Sequence, residues 1–214
     1  MRIVCISDTH YPNSADWDVD LPEGDMLLHG GDATFMGTIA EVSSFNFTLG
    51  KLKKRYTHGI FFTPGNHDWF YEKNELLARD MTYNARVLIH ETAIVGDINL
   101  FMSPFQPWFN NWAFNLDRGS IDLKDKWATI PSETSVLVTH GPPLNILDKC
   151  PSGERVGCYD LLQRVKELKQ LKIHSFGHIH HSYGQIEIEG TKFINASMCN
   201  EQYETVNKPI VIDI

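Results

Sequence analysis

RIVCISDTH, residues 2–10, is a short run rich in Val and Ile that stops abruptly at Asp8-Thr9-His10. A stretch this brief, β-branched and nearly continuous in its apolarity, predicts a strand buried on both faces. The same pattern recurs along the chain. DMLLH (25–29) precedes Gly30-Gly31-Asp32, and GIFFTP (59–64) precedes Gly65-Asn66-His67-Asp68. SVLVT (135–139) precedes His140-Gly141-Pro142-Pro143, and KIHSF (172–176) precedes Gly177-His178-Ile179-His180. Apolar residues at helical spacing lie between these runs: Ile39, Val42, Phe45, Leu49 and Leu52 predict a helix over 38–54. Leu161, Leu162, Val165, Leu168 and Leu171 predict another over 159–172, and weaker patterns cover 70–81 and 120–129. Residues 86–102 and 184–196 have the character of antiparallel hairpins, and PIVIDI closes the chain as a last strand. This alternation predicts an α/β fold in which two packed sheets are flanked by helices.

At 214 residues, with no internal repeat, low-complexity block or Gly/Ser linker, the expectation is one domain spanning 1–214. A unit of this size buries about 70% of its unfolded surface and needs no disulfide staple. Cys5, Cys150, Cys158 and Cys199 are scattered and form no C-x-x-C pair, so reduced, packed thiols are expected. The N-terminus has no long apolar region with a cleavage site, and no window approaches the ~20 apolar residues of a membrane span. Together these features predict a cytoplasmic protein that does not engage a membrane.

The net charge of −8 argues against a non-specific grip on duplex nucleic acid. Any small anionic substrate would require local positive charge, which points to metal. In α/β sheets ligands sit beyond the carboxyl ends of strands, and here those ends deliver Asp8, His10, Asp32, Asn66, His67, His140, His178 and His180. Carboxylate, imidazole and amide oxygen form a mixed N/O donor set suited to Mn, Fe, Ni or Zn, whereas a thiolate zinc site has no matching cysteines. If Asp8, His10, Asp32, Asn66, His140, His178 and His180 hold two divalent ions, the two carboxylates offset half of the four positive charges. The site then remains cationic and able to take a phosphate oxygen.

In chain order, SDTH, HGGDAT, PGNHD, VTHGPP and FGHIHH resemble the signature of the calcineurin-like metallophosphoesterase superfamily. CISDTH, GDMLLHGGD, PWFNNWAFNLDRG, THGPP, RVGCYDLL and INASMC are similar to its metallophosphoesterase-domain-containing subgroup, associated with cleavage of cyclic nucleotides. The resemblance implies a four-layer sandwich of two mixed β-sheets flanked by helices. It places Asp8, His10 and His180 on a first metal, Asn66, His140 and His178 on a second, and Asp32 between them. It makes His67 a non-ligand histidine that protonates the leaving oxygen after attack by a metal-bridging hydroxide. The implied cofactor is a pair of divalent ions, Mn²⁺ first, with Fe, Ni, Zn or Mg as alternatives. The implied function is hydrolysis of cyclic nucleotides or other small phosphodiesters. The alternatives are a nucleotide or protein phosphomonoesterase, or a non-catalytic protein-binding scaffold, which members of the superfamily become by losing ligands; this chain retains Asp8 through His180. Some animal members of the subgroup have Gly where this chain has His178.

Other residues carry plainer expectations. Asp68 stands where a helix begins, so N-capping competes with orienting His67. His29, His58, His90 and His174 fit no motif and are expected in packing or solvent, and His181 on the outer side of its loop. Residues 103–119 carry Phe105, Trp108, Phe109, Trp112 and Phe114, either as an aromatic loop folded onto the sheet or an oligomer contact, or as a wall on which a nucleobase stacks. Arg118 and Arg155 have the chemistry of phosphate clamps, though surface arginine is the first expectation for each.

Overall fold

The structure, a computed structural model, describes residues 1–10 and 20–214. The strands are β1 (Arg2–Ile6), β2 (Gly24–His29), β3 (Tyr56–Phe62), β4 (Arg86–Val87), β5 (Glu91–Val95), β6 (Ile98–Ser103), β7 (Gln106–Pro107), β8 (Asn115–Leu116), β9 (Val136–Thr139), β10 (Ile173–Phe176), β11 (Gly184–Ile188), β12 (Thr191–Asn195) and β13 (Ile210–Asp213). The helices are α1 (Ile39–Leu52), α2 (Trp69–Lys73), α3 (Glu75–Met81), α4 (Ile121–Ala128) and α5 (Tyr159–Glu167). One sheet runs β13-β1-β2-β3-β4, the other β11-β12-β10-β9-β6-β5, and β7 and β8 form a small ribbon. Both large sheets are mixed. In the first, β1-β2-β3-β4 run parallel and β13 is an antiparallel edge; in the second, β6-β9-β10-β12 run parallel and β5 and β11 are antiparallel edges.

Side chains alternate across each strand, which explains why the central runs are apolar throughout. Ile3, Cys5, Met26, Leu28 and Phe61 of the first sheet meet Leu100, Met102, Val136, Val138 and Ile173 of the second in one buried cluster. On the opposite face of the first sheet, Val4, Ile6, Leu27, Ile60 and Phe62 pack on Val42, Phe45 and Leu49 of α1 and on Tyr71 and Ala78 of α2 and α3. On the outer face of the second, Phe101, Leu137 and Phe176 receive Leu123 and Trp127 of α4 and Leu161 and Val165 of α5. The result is four layers, helix–sheet–sheet–helix, with each fully buried Leu, Ile or Phe contributing about 1.5–3 kcal/mol.

Two helices differ from their sequence patterns. The 70–81 pattern is broken at Asn74 (φ −140°, ψ 48°), which separates α2 from α3. The 159–172 pattern ends at Glu167, because Leu168 leaves helical geometry (φ −78°, ψ 85°). Leu168 and Leu171 stay buried through a turn in which Leu171 N donates to Leu168 O at 3.2 Å, so they kept the spacing without the helix. The helix over 38–54 forms as α1, closed by a capping box between Thr38 and Glu41. Among the described residues no helix is long and apolar enough to cross a membrane.

Candidate metal centre

The carboxyl ends of β1, β2 and β3 adjoin in the first sheet, and those of β9 and β10 adjoin in the second. The loops beyond them are knitted by backbone bonds: Asp8 N donates to Gly31 O (2.8 Å), His10 N to Asp32 O (3.0 Å) and Gly177 N to His140 O (2.9 Å). The two sheets are stitched at the same end, where Ser7 N donates to Ala196 O (2.9 Å) and Met198 N to Ser7 O (2.8 Å). Asp8, His10, Asp32 and His178 turn sharply off their strands at φ 51°, 43°, 53° and 67°. Such left-handed conformations cost about 1–3 kcal/mol each and cluster where side chains must converge. Two glycines allow the convergence: a Cβ at Gly177 would overlap the Asp8 carboxylate and the Ser7 hydroxyl, and one at Gly65 would overlap Asp32.

The side chains form two groups that share Asp32's neighbourhood. Asp8, His10 and His180 present donor atoms within 4.8 Å of one another, as do Asp32, His140 and His178; a third triad joins His10, Asp32 and His67. His178 and His180, two residues apart, thus face different groups. Asn66 Oδ1 joins the second, 2.8 Å from His140 Nε2.

Hydrogen bonding tests whether a cation suits this place. His140 Nδ1 donates to Gly30 O (3.0 Å), so the Nε2 of its neutral ring is a lone pair, and it faces the lone pairs of Asn66 Oδ1. His180 Nδ1 donates to Asn200 O (2.8 Å), which leaves its Nε2 as a lone pair 3.2 Å from His10 Nε2 and 3.4 Å from Asp8 Oδ1. Acceptors pointed at acceptors in a buried site require a proton or a cation between them. All-N/O donors, with no thiolate in any of the triads, match a divalent first-row ion or Mg²⁺.

In the ion-free chain, protons take that role. Burial alone would depress His140, but the adjacent Asp32 and the Asp8 charge hold it up at about 9. His180 likewise is depressed by burial and raised, net, to about 9 by its hydrogen bond to Asp8 and by that carboxylate's charge. Burial opposes ionisation of Asp8, yet His180 and His140 keep it well below the usual carboxylate range. Against burial, the charges of His140 and His67 do the same for Asp32. His10 and His178 are pushed down by burial, to about 4 and about 3.

His67 stands apart from this pairing. Its backbone N donates to Asp32 Oδ1 (2.8 Å), its Nδ1 donates to Phe35 O (2.6 Å), and its Nε2 points inward, 4.0 Å from Asp32 Oδ2. The Trp112 ring lies against it, with centroids 4.1 Å apart and planes inclined by 30°. Asp68 neither caps α2 with its side chain nor touches the His67 ring. Its buried carboxylate instead accepts from Gly65 N (2.7 Å), Thr34 N (2.9 Å) and Thr34 Oγ1 (2.7 Å), tying the Asp32 loop to the Asn66 loop. Burial and the nearby Asp32 charge push it up to about 6.

Beside the histidines opens a cavity of about 420 Å³, walled on one side by Pro107, Trp108, Phe109 and Pro142. The aromatic stretch therefore divides. Phe105 and Phe114 pack with the core, Trp112 backs His67, and Trp108 and Phe109 are half exposed at the cavity. It is anchored to the site by Ala113 N, which donates to Asn66 O (3.1 Å). Arg118 lines the cavity with its guanidinium engaged by the carbonyls of Gly157 and Val156 (both 2.7 Å), and Arg155 pairs with Asp148 (2.8 Å). His181 pairs with Glu201 (3.3 Å) at the rim. His174 and His29 are buried in bonds to Thr139 (2.8 Å) and Thr9 (3.0 Å), His90 bonds Ser103 (3.0 Å), and His58 bonds Thr57 (3.2 Å).

Three contributors escaped the sequence reading. Ser197 donates to Asp8 Oδ2 (2.8 Å), the Asn200 carbonyl orients His180, and Tyr203 packs edge-on to His10 with centroids 4.8 Å apart. All follow β12 in a segment without strand-end grammar; of the three, Ser197 alone lies within INASMC (194–199).

Residues 1–182 match the calcineurin-like phosphoesterase family. The chain is 38% identical, over 237 aligned residues, to metallophosphoesterase domain-containing protein 1 of Homo sapiens, covering all of this chain and 71% of that protein. It is also 38% identical to a UPF0046 protein of Caenorhabditis elegans, of which it spans 60%. Two solved structures share the fold. One has a TM-score of 0.64 at 14% identity, covering 91% of this chain and 89% of the other. The second, from Thermus thermophilus, has 0.56 at 11%, covering 91% and 88%.

Proposed function

Because the chain belongs to the calcineurin-like phosphoesterase family, which supports a metal-dependent hydrolase, we propose that it is a phosphodiesterase with a dinuclear centre acting on small diesters, cyclic nucleotides first among them. The observation that carries this reading is the pair of lone-pair clusters, Asp8-His10-His180 and Asn66-His140-His178, on either side of Asp32. Asp8, His10 and His180 would hold one ion, Asn66, His140 and His178 the other, and Asp32 both; Mn²⁺ is the first choice. Bound there, divalent ions supply Lewis acidity and activation of water near neutral pH. His67 keeps Phe35 O on Nδ1, and its Nε2, which points inward, would deliver a proton to the departing oxygen. A diester is favoured over a monoester by the cavity wall. Among its described lining residues Arg118 is the sole Lys or Arg, and two of its five N–H donors are bonded to carbonyls, so the wall offers a dianion one partly engaged guanidinium. Trp108 and Phe109 suit an organic substituent.

Two measurements test this. Metal-free protein reloaded with Mn²⁺ is expected to bind two ions per chain and to turn over a chromogenic diester and cyclic nucleotides faster than the matched monoester. A monoester preference would make it a phosphatase, and full metal without turnover would remove the hydrolase reading. Separately, His140 and His180, held up at about 9, carry protons at pH 7.5 when no ion is present. Metal binding must expel them, so calorimetry in buffers of different ionisation enthalpy is expected to register about two protons released. Affinity is expected to climb with pH, about tenfold per unit for each proton, and to level off above about 9. Affinity independent of pH between 6.5 and 9 would show that these two histidines carry no protons in the ion-free chain.

A further inference from the structure

We propose that Glu41 is a positioning residue for His67, acting on it through the peptide group that joins Phe35 to Met36. This rests on the reading of His67 as the proton donor. Glu41 lies in the first turn of α1 and is only 1% exposed. Its Oε2 accepts from Thr38 N (2.7 Å) and Thr38 Oγ1 (2.8 Å), which completes a capping box. Its Oε1 does something a cap does not require: it accepts from Phe35 N (3.1 Å) and Met36 N (3.0 Å), outside the helix.

The Met36 N–H belongs to the same planar peptide unit as the Phe35 carbonyl, and that carbonyl accepts from His67 Nδ1. In a trans peptide the N–H and C=O point in opposite directions across a rigid plane. Glu41 Oε1 at one end of the plane and His67 Nδ1–H at the other therefore form a three-part relay. The relay acts mechanically: the buried carboxylate fixes the plane, hence the carbonyl, hence the tilt of the imidazole and the place of its Nε2. Asp68 holds the preceding residue, Thr34, by two bonds, so the segment cannot relax from its other end. Trp112 covers a face of the ring.

The test compares Glu41→Ala, Glu41→Gln, Thr38→Ala and His67→Ala, all Mn²⁺-loaded, on paired diesters with nitrophenolate and alkoxide leaving groups. Proton donation matters little to nitrophenolate and greatly to alkoxide. Glu41→Ala is expected to lose about 10- to 100-fold in kcat on the alkoxide substrate, the scale of a misplaced reacting group, with KM little changed, and roughly threefold or less on nitrophenolate. Glu41→Gln keeps a carbonyl oxygen for Phe35 and Met36 and is expected to restore most of the alkoxide rate. Thr38→Ala removes the cap but spares Oε1, so it should lower Tm without altering the ratio of the two rates.

A second readout needs no metal. The His67 Nδ1 proton is expected to exchange slowly by NMR in the ion-free wild-type chain, freely in Glu41→Ala, and slowly again in Glu41→Gln. Equal loss on both substrates by Glu41→Ala, while His67→Ala discriminates between them, would overturn the proposal. If His67→Ala itself fails to discriminate, the proton-donor reading falls, and a Nδ1 proton still protected in Glu41→Ala would overturn the positioning role as well. Should Glu41→Ala not fold, Glu41→Asp, which withdraws the carboxylate by one methylene, serves the same comparison.

Discussion

His67→Ala is expected to reduce turnover of diesters with alkoxide leaving groups roughly 100- to 10,000-fold, while nitrophenyl diesters lose far less. The two outcomes differ because an alkoxide cannot leave without a proton and nitrophenolate can. Metal content is expected to stay at the wild-type level, since the His67 ring is held by Phe35 O and Trp112 and not by the lone-pair pairs of the centre. Asp32→Ala provides the contrast. Asp32 lies within 4.0 Å of His10, His67 and His140, so its loss is expected to empty the site and abolish turnover of every substrate. If His67→Ala lost metal as Asp32→Ala does, the histidine would be a ligand and the division of roles would be wrong.

Gly177→Ala is expected to be the most damaging single methyl in the protein. The added carbon would overlap the Asp8 carboxylate and the Ser7 hydroxyl, and neither can retreat. Asp8 is fully buried and anchored by His178 N (3.0 and 3.1 Å) and Ser197 Oγ (2.8 Å). The turn after β10 must therefore lift away from β1, taking His178 and His180 with it. Because those two residues face different clusters, one methyl should weaken both metal positions together. Overpacking costs about 1–3 kcal/mol of stability, visible as a lower Tm, and turnover should fall below about 0.1% of wild type, a loss of about 4 kcal/mol in transition-state stabilisation. Retained metal with near-normal turnover would show that the strand ends are looser than their packing implies.

Much of this was legible in the chain because one local rule was repeated. A strand buried on both faces must be apolar throughout, so its end is marked by the first charged or strongly polar residues, among them Asp8, Asp32, Asn66, His140 and His178, which need one another as partners. The layers followed from the same runs, together with the helical spacing of Val42, Phe45 and Leu49. Legibility ended where a side chain's partner lay far away in sequence. Asp68 stands at a helix start, yet its carboxylate reaches Thr34 and Gly65 and not the first turn of α2. The aromatics of 103–119 share one composition but three fates, because left-handed residues at Asn110 and Phe114 turn successive rings in different directions (φ 50° and 57°).

The sequence by itself determined the layers and the order of the strand ends at which the polar side chains gather, since burial and periodicity are properties of neighbouring residues. Only the tertiary structure decided that Trp112 and not Trp108 backs His67, and that a helix-capping glutamate grips the peptide holding that histidine. Those choices depend on which loops come within hydrogen-bonding distance when two sheets close on each other. That distance is set by the packing of the whole core, and no short stretch encodes it.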